Sequence, residues 1–260
     1  MSQTIPFSCT MCGKCCHDLR LPLGVDEAIE WVRDGGDVQL FCEAIPWPND
    51  PPPEHLEALY KRGKSFAALS GVLPVRVAVT LVASFDGPCR HLQPDMRCGV
   101  YAKRPRVCRI YPAEINPFVK LTPENKKCPP DAWSAGGPVL MHGEVVVDSN
   151  LRHFIEQSRE ADRLDVAAKA RVCATLGIDI AALANEGFAV HAPRRELVLE
   201  ALVDSISTDR EPTVLSRSNQ WQLVSNRSGT LTVLNEIGAR VINADASPHN
   251  TQYIAFHPTE

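Results

Sequence analysis

The sequence predicts an α+β fold in three regions, and three observations carry that prediction. Nine of the ten cysteines and most of the 21 prolines fall before residue 140. A stretch so rich in thiols and turn formers is expected to be irregular and to fold around a metal that does part of the work of a core. That region is assigned to residues 1–137. After Gly136-Gly137 cysteine almost disappears and helix formers take over, so residues 138–208 are expected to be mainly helical. Near the end, Trp221 to Val224 and Thr230 to Leu234 flank the turn-forming run Ser225-Asn226-Arg227-Ser228-Gly229. This predicts a β-rich tail over residues 209–260, closed by a β-hairpin.

The elements follow in order. Met1 to Phe7 is a lead-in, and Leu19 to Leu23 is a short apolar stretch. Val25 to Asp34 reads as a helix, with Asp26 as its cap, Ala28, Ile29 and Val32 as its apolar face and Gly35-Gly36 as its stop. Val38 to Cys42 is a short strand. Pro46 to Pro53 is a loop, and Glu54 to Arg62 a second helix. Alternation of Val75, Val77, Val79 and Leu81 predicts a strand over Val75 to Ser84. Val145 to Val147 reads as a further strand. Leu151 to Leu176 is one long helix or two shorter ones, capped by Asn150 and stopped by Gly177. Ile178 to Asn185 reads as another helical turn or two. Arg194 to Val203 is a helix, with Pro193 at its start and Leu197, Val198, Ala201 and Leu202 on one face. Ser205 to Pro212 is a polar linker.

The chemistry is concentrated in the cysteines. Cys9, Cys12, Cys15 and Cys16 fall within eight residues. The C-x2-C-x2-C spacing opens the bacterial ferredoxin run, but Cys16 follows directly where that run would place a later Cys before Pro. Adjacent side chains point in different directions, so Cys15 and Cys16 can serve different sites. Cys89, Cys98, Cys108 and Cys128 form a second group, beside Gly and Pro residues that favour tight turns. The eight are the expected metal ligands. They could make two four-cysteine sites, or one site with spare thiols. Zinc and iron–sulfur clusters both accept four thiolates; the ferredoxin-like spacing leans toward an iron–sulfur cluster. No catalytic residue is assigned. Cys42 and Cys173 sit among apolar neighbours and read as small buried hydrophobes. His17 reads as a hydrogen-bonded neighbour of the site rather than a ligand. Asp18 and Asp86 read as turn or capping residues. Arg104 and Arg109 flank Cys108, where they can offset thiolate charge or bind an anion. Tyr101 and Tyr111 read as packing residues.

Composition narrows the setting. A net charge of -4 and a pI near 6.1 leave no electrostatic footprint for nucleic acid. No apolar run is long enough to span a bilayer, and no basic segment precedes an apolar one near the N-terminus. A cytoplasmic location is expected, where thiols stay reduced and ten cysteines signal metal or redox chemistry rather than disulfides.

The residues Phe7-x-Cys9-x-x-Cys12-Gly13-Lys14-Cys15-Cys16, Asp86-Gly87-Pro88-Cys89, Arg97-Cys98-x-x-Tyr101, Arg104-Pro105-x-x-Cys108-Arg109-x-Tyr111-Pro112 and Cys128-Pro129 occur in this order. Together they resemble the bacterial YkgJ-like CxxCxxCC family of zinc- or iron-chelating proteins, over roughly residues 7 to 130. The resemblance implies a metal-binding cysteine cluster. Flagellin lysine N-methylases are similar around such cysteines, which offers an enzymatic lead. No Gly-rich loop after a strand marks a site for S-adenosylmethionine. Three functions are therefore expected to compete: a redox or metal-dependent cluster protein, a metal-dependent protein-modifying enzyme, and a structural zinc module that presents the C-terminal region to a protein partner.

Overall fold

The computed structural model describes residues 4–207, 220–248 and 250–257. In chain order the elements are β1 (Thr4–Pro6), β2 (His17–Leu23), α1 (Val25–Arg33), β3 (Val38–Pro46), α2 (Leu56–Gly63), β4 (Phe66–Ser70), β5 (Leu73–Pro88) and α3 (Arg106–Ile110). There follow β6 (Val139–His142), β7 (Val145–Val146), α4 (Ser149–Leu164), α5 (Val166–Leu176), β8 (Ile180–Leu183), β9 (Gly187–His191) and α6 (Arg195–Ile206). The chain ends with β10 (Gln222–Ser225), α7 (Ser228–Glu236), β11 (Val241–Asn243) and β12 (Thr251–Ala255). The fold class is α+β, as expected. Among the described residues, no helix is long and apolar enough to cross a membrane.

The chain divides into two compact units: Met1–Leu23 with Ala83–Ala161, and Gly24–Val82 with Asp162–Glu260. The region expected over residues 1–137 is thus shared between them, because Gly24–Val82 folds with the C-terminal half.

The first unit contains the cysteines of interest and little regular structure. Its small sheet runs β1-β6-β7, all antiparallel. Strand β2 neighbours β5, whose last residues belong to this unit. Ile110, Ala113 and Ile155 form a small core, with Ile115, Val146, Leu151 and Phe154 packed on it. The Asp148 carboxylate accepts the Leu151 N–H at 2.8 Å, so Asp148 supplies the capping interaction expected of Asn150.

The second unit is a conventional mixed sheet with helices. Strands β11, β10, β8 and β3 run parallel in that order. Antiparallel partners complete it: β9 on β3, β12 on β9, and β4 on β5. Helix α1 buries Val25, Ala28, Ile29, Trp31 and Val32 on one face. Gly24, not Asp26, is its N-cap, and the Glu27 carboxylate accepts the Gly24 N–H at 3.0 Å. Helices α5 and α6 pack together, and Gly177 ends α5 in the left-handed region at φ 66°.

Three local expectations are corrected. Ile178 to Asn185 is not helical; it contains β8, whose four residues are all buried. A short apolar run reads alike as helix or buried strand, and here the parallel sheet decides. Thr230 to Leu234 is not a strand, and there is no hairpin with β10, because these residues lie inside α7. Strand β10 pairs parallel with β11, and a parallel pair needs a crossover connection, which α7 supplies. Strands β3 and β5 are longer than predicted, and β1, β2, β4, β6, β9, β11 and β12 are strands not individually predicted. Part of the Ser205 to Pro212 linker and the first residues of the 209–260 tail lie outside the described residues.

Candidate metal centre

Every element of the centre lies in the first unit. The first cysteine group is shaped by Gly13, which takes φ 69° and begins a 3-10 turn over Lys14–Cys16. The Cys16 N–H returns to the Gly13 carbonyl at 2.8 Å. A Cβ at position 13 would stand 2.8 Å from Met96 Cε and 3.0 Å from the Met96 carbonyl oxygen, so only glycine fits there. His17 Nδ1 lies 3.2 Å from the same Gly13 carbonyl and supports the turn, as its reading as a neighbour requires. Asp18 accepts the Gly87 N–H at 2.6 Å, the expected turn role, whereas Asp86 is exposed on β5.

The second group is carried on turns that reach back to the first. The Cys89 N–H donates to the Cys16 carbonyl at 2.7 Å. The Cys89 carbonyl accepts the Leu92 N–H at 2.8 Å, and Leu92 is bridged to Cys98. Cys108 lies on α3, which packs on β2 immediately after Cys16. Cys128 precedes the 3-10 turn Pro130–Trp133. That turn is bonded to the other end of the chain: the Ser8 N–H donates to the Ala132 carbonyl at 2.8 Å, and the Phe7 and Trp133 rings lie 4.9 Å apart.

Seven of the eight thiols, Cys9, Cys12, Cys15, Cys16, Cys98, Cys108 and Cys128, line one cavity of about 650 Å³. The eighth, Cys89, is tied to it through Cys16. All ten cysteines are free; Cys9 is exposed and the other seven of the group are partly buried. Among the described residues, no three Cys, His, Asp or Glu side chains converge closely enough to hold a single ion. The thiols stand around the walls instead.

Their electrostatics are unequal. A hydrogen bond from the Cys16 thiol brings Cys15 down to about 6, against the opposing effect of burial and with help from Arg104 and Lys127. Of the two, Cys15 is the one whose thiolate is favoured, with Cys16 as its donor. The same bond pushes Cys16 up, and burial, Cys15, Cys89 and Cys108 add to the rise. Burial pushes Cys108 up to about 12, with Cys89, Cys15 and Cys98 adding to it while Arg104 opposes. Burial also raises Cys89, beside Cys98. It raises Cys128 too, where a hydrogen bond with Tyr111 acts the other way and Cys15, Cys9 and Cys12 add to the rise.

The cations that face the cavity divide by role. Arg109 gives its Nε–H to the Arg104 carbonyl at 2.9 Å and its Nη2 to the Ala102 carbonyl at 2.6 Å, and it lies over the Phe154 ring. It is a brace for the loop before α3. Arg104 stacks on Tyr101 at 4.0 Å, and its buried Nε has no hydrogen-bond partner among the described residues. Tyr111 was read as packing, yet it bonds the Cys128 side chain and its hydroxyl oxygen accepts the Lys127 N–H at 2.8 Å. The Lys127 Nζ reaches the His17 carbonyl at 2.6 Å. Tyr111 and Lys127 are thus positioning residues that sequence reasoning missed; the adjacency of Lys127 to Cys128 was the available signal. Cys42 and Cys173 lie in the second unit at 0% and 1% exposure and are not among the residues that line this cavity.

Comparison with known families gives a match over the cysteine-rich stretch. Residues 8–129 match the family model described as "CxxCxxCC: Putative zinc- or iron-chelating domain". This region is similar to the CxxCxxCC family. The match begins at Ser8, beside Cys9, and ends at Pro129, beside Cys128, so the CxxCxxCC region contains all eight thiols of the centre. No curated protein and no solved structure matches the chain.

Proposed function

We propose that this is an iron–sulfur protein whose cluster metal is held by Cys9, Cys12, Cys15, Cys16, Cys89, Cys98, Cys108 and Cys128, with a redox role. One observation carries the reading: seven thiols line a single cavity of about 650 Å³ without converging on one point. A single zinc ion draws its ligands to one centre at about 2.3 Å. A multinuclear cluster spreads its thiolates over more than one iron, so its ligands belong on the walls of a cavity. The donor set fits such a group: soft thiolates, with Cys15 shifted toward its ionised form and Arg104 close to Cys15 and Cys108 to offset negative charge. A bound cluster supplies one-electron transfer. The residues themselves do the rest. Gly13 and α3 aim thiols inward, Tyr111 orients Cys128, and Phe7, Leu140 and Phe154 keep part of the cavity wall apolar. The free Nε of Arg104 favours a second reading, a metal-dependent enzyme that holds an anionic group beside the cluster.

The test is elemental and acid-labile sulfide analysis, with an absorption spectrum, on the full chain purified without oxygen. Iron, sulfide and broad visible absorption are expected. Cys12→Ser and Cys98→Ser lower the iron content, while Cys173→Ser leaves it unchanged. A colourless protein with stoichiometric zinc and no sulfide overturns the cluster. Equal metal loss in all three variants overturns the ligand assignment.

A further inference from the structure

Three large apolar side chains stand at the rim of the cysteine cavity. Met11, Met96 and Tyr101 line it and are nevertheless 52%, 39% and 52% exposed. Apolar groups gathered in water beside a site mark an interaction surface. Both methionines sit on left-handed backbone, at φ 51° and φ 67°. That conformation costs about 1–2 kcal/mol per L-residue, so packing has to hold it. Met96 lies against Gly13, where a Cβ would stand 2.8 Å from Met96 Cε. Methionine is unbranched and polarizable, and it adapts to the surface of a partner.

The charge around this rim opposes that of the chain. The whole protein carries -4, yet residues 89–109 hold Arg90, Arg97, Lys103, Arg104, Arg106 and Arg109 against a single acid, Asp95. The side chain of Arg97, on the cavity wall, is 67% exposed, and its ion pair with Asp95 is solvated and long at 3.9 Å. Such a pair neutralises little. Lys103 is exposed, as is Lys14 on the turn that carries Cys15 and Cys16. Asp148 also lines the cavity, but its carboxylate caps α4. An apolar centre of Met and Tyr with arginines beside it has the composition of a protein interface. Its positive charge selects a negative partner and steers it in.

We infer that this rim is the docking surface for an acidic one-electron carrier protein. The inference rests on the reading that the centre is a redox cluster. Carrier complexes of this kind are small, below about 1,200 Å² of buried surface, which three apolar residues within a basic ring can supply. One electron passes between the carrier's own centre and the bound cluster; one is reduced as the other is oxidised, and no bond is made or broken.

The experiment measures docking apart from chemistry. The full chain, purified without oxygen, is titrated into two fluorescently labelled probes, an acidic plant-type [2Fe–2S] ferredoxin and a basic c-type cytochrome, at low and at high ionic strength. The ferredoxin is expected to bind at low ionic strength and to weaken about tenfold or more as salt screens the pair, while the cytochrome does not bind. Arg97→Glu with Lys103→Glu, and separately Met11→Glu, should each weaken ferredoxin binding about tenfold with iron content unchanged. If Met11→Glu loses iron, the doubly charge-reversed variant decides, since its side chains are exposed. No ferredoxin binding at low ionic strength, equal binding of the cytochrome, or variants that bind like the native chain overturn the docking surface. Displacement of the ferredoxin by random duplex DNA overturns it too, in favour of nucleic acid. Iron and sulfide assayed on the same sample separate the two readings. Iron retained without docking leaves the redox centre standing, whereas a zinc-loaded, colourless chain overturns the redox centre and electron exchange with it.

Discussion

His191 shows at one residue how burial sets a pH limit on this chain. It is 4% exposed in the second unit. Its Nε2 lies 2.9 Å from the Ile180 carbonyl, and its Nδ1 lies 3.2 Å from the Thr251 hydroxyl. A carbonyl only accepts, so Nε2 carries the hydrogen, and Nδ1 accepts from Thr251 in the neutral ring. Burial lowers its pKa, and the bond to Ile180 and the charge of Asp179 offset only part of that. The sign follows from linkage. The unfolded imidazole titrates near 6.5 and the folded one below it, so the unfolded chain binds more protons between the two values. Stability is therefore full above about pH 6.5 and is lost as the pH falls toward the folded value. The thermal midpoint of the native chain should drop from pH 7 to pH 5 more steeply than that of His191→Gln. Parallel pH profiles for the two proteins would show that the ring titrates normally.

At the scale of elements, the turn between β4 and β5 tests how closely the second unit is packed. Gly71 has φ +60°, and an added Cβ would collide with the Gly238 carbonyl oxygen. The turn is fixed there by bonds from Val72 N–H to Gly238 at 3.1 Å and from Gly71 N–H to the Gln220 side chain at 2.9 Å. Gly71→Ala combines left-handed strain of about 1–2 kcal/mol with overpacking of about 1–3 kcal/mol. A loss of about 2–5 kcal/mol in urea unfolding is expected; no shift of the midpoint would mean the turn is not held against Gly238. The same unit shows what was legible beforehand. Helices α1 and α6 were readable because each buries one apolar face, and α5 because helix formers run up to the stop at Gly177. Strand β8 and helix α7 were misread because four apolar residues, or a short β-branched run, carry no period long enough to decide. Their state is fixed by parallel neighbours distant in sequence. In the centre the reverse holds. The two cysteine groups were legible from spacing alone, and the structure lines one cavity with seven of their eight thiols. The roles of Tyr111, Lys127 and Arg104 were not, since they depend on turns that bring residues 8, 17, 111 and 128 together.

At the scale of the whole molecule, the two units differ in what holds them. The second has a large apolar interior, including Leu40, Val77, Leu81, Val198, Leu202 and Leu223, each below 1% exposed. At about 25 cal/mol per Å² of apolar surface, burial of this kind stabilises a sheet-and-helix unit without help. The first unit has a core of Ile110, Ala113 and Ile155 with a few partners, short strands and many turns. Small cores of this kind commonly need a staple, and metal bound to a folded site contributes its binding energy to folding. Removing the metal with a strong chelator should therefore act on one unit. Hydrogen exchange of the full chain is the measurement, because it reads each segment in the same sample. Amides of α3, β6 and β7 are expected to lose at least tenfold in protection after chelation. Those of β3, β8 and β10 should exchange as before. Equal loss in both units would mean that they fold as one cooperative body, and equal protection before and after would mean that the first unit stands on its small core alone.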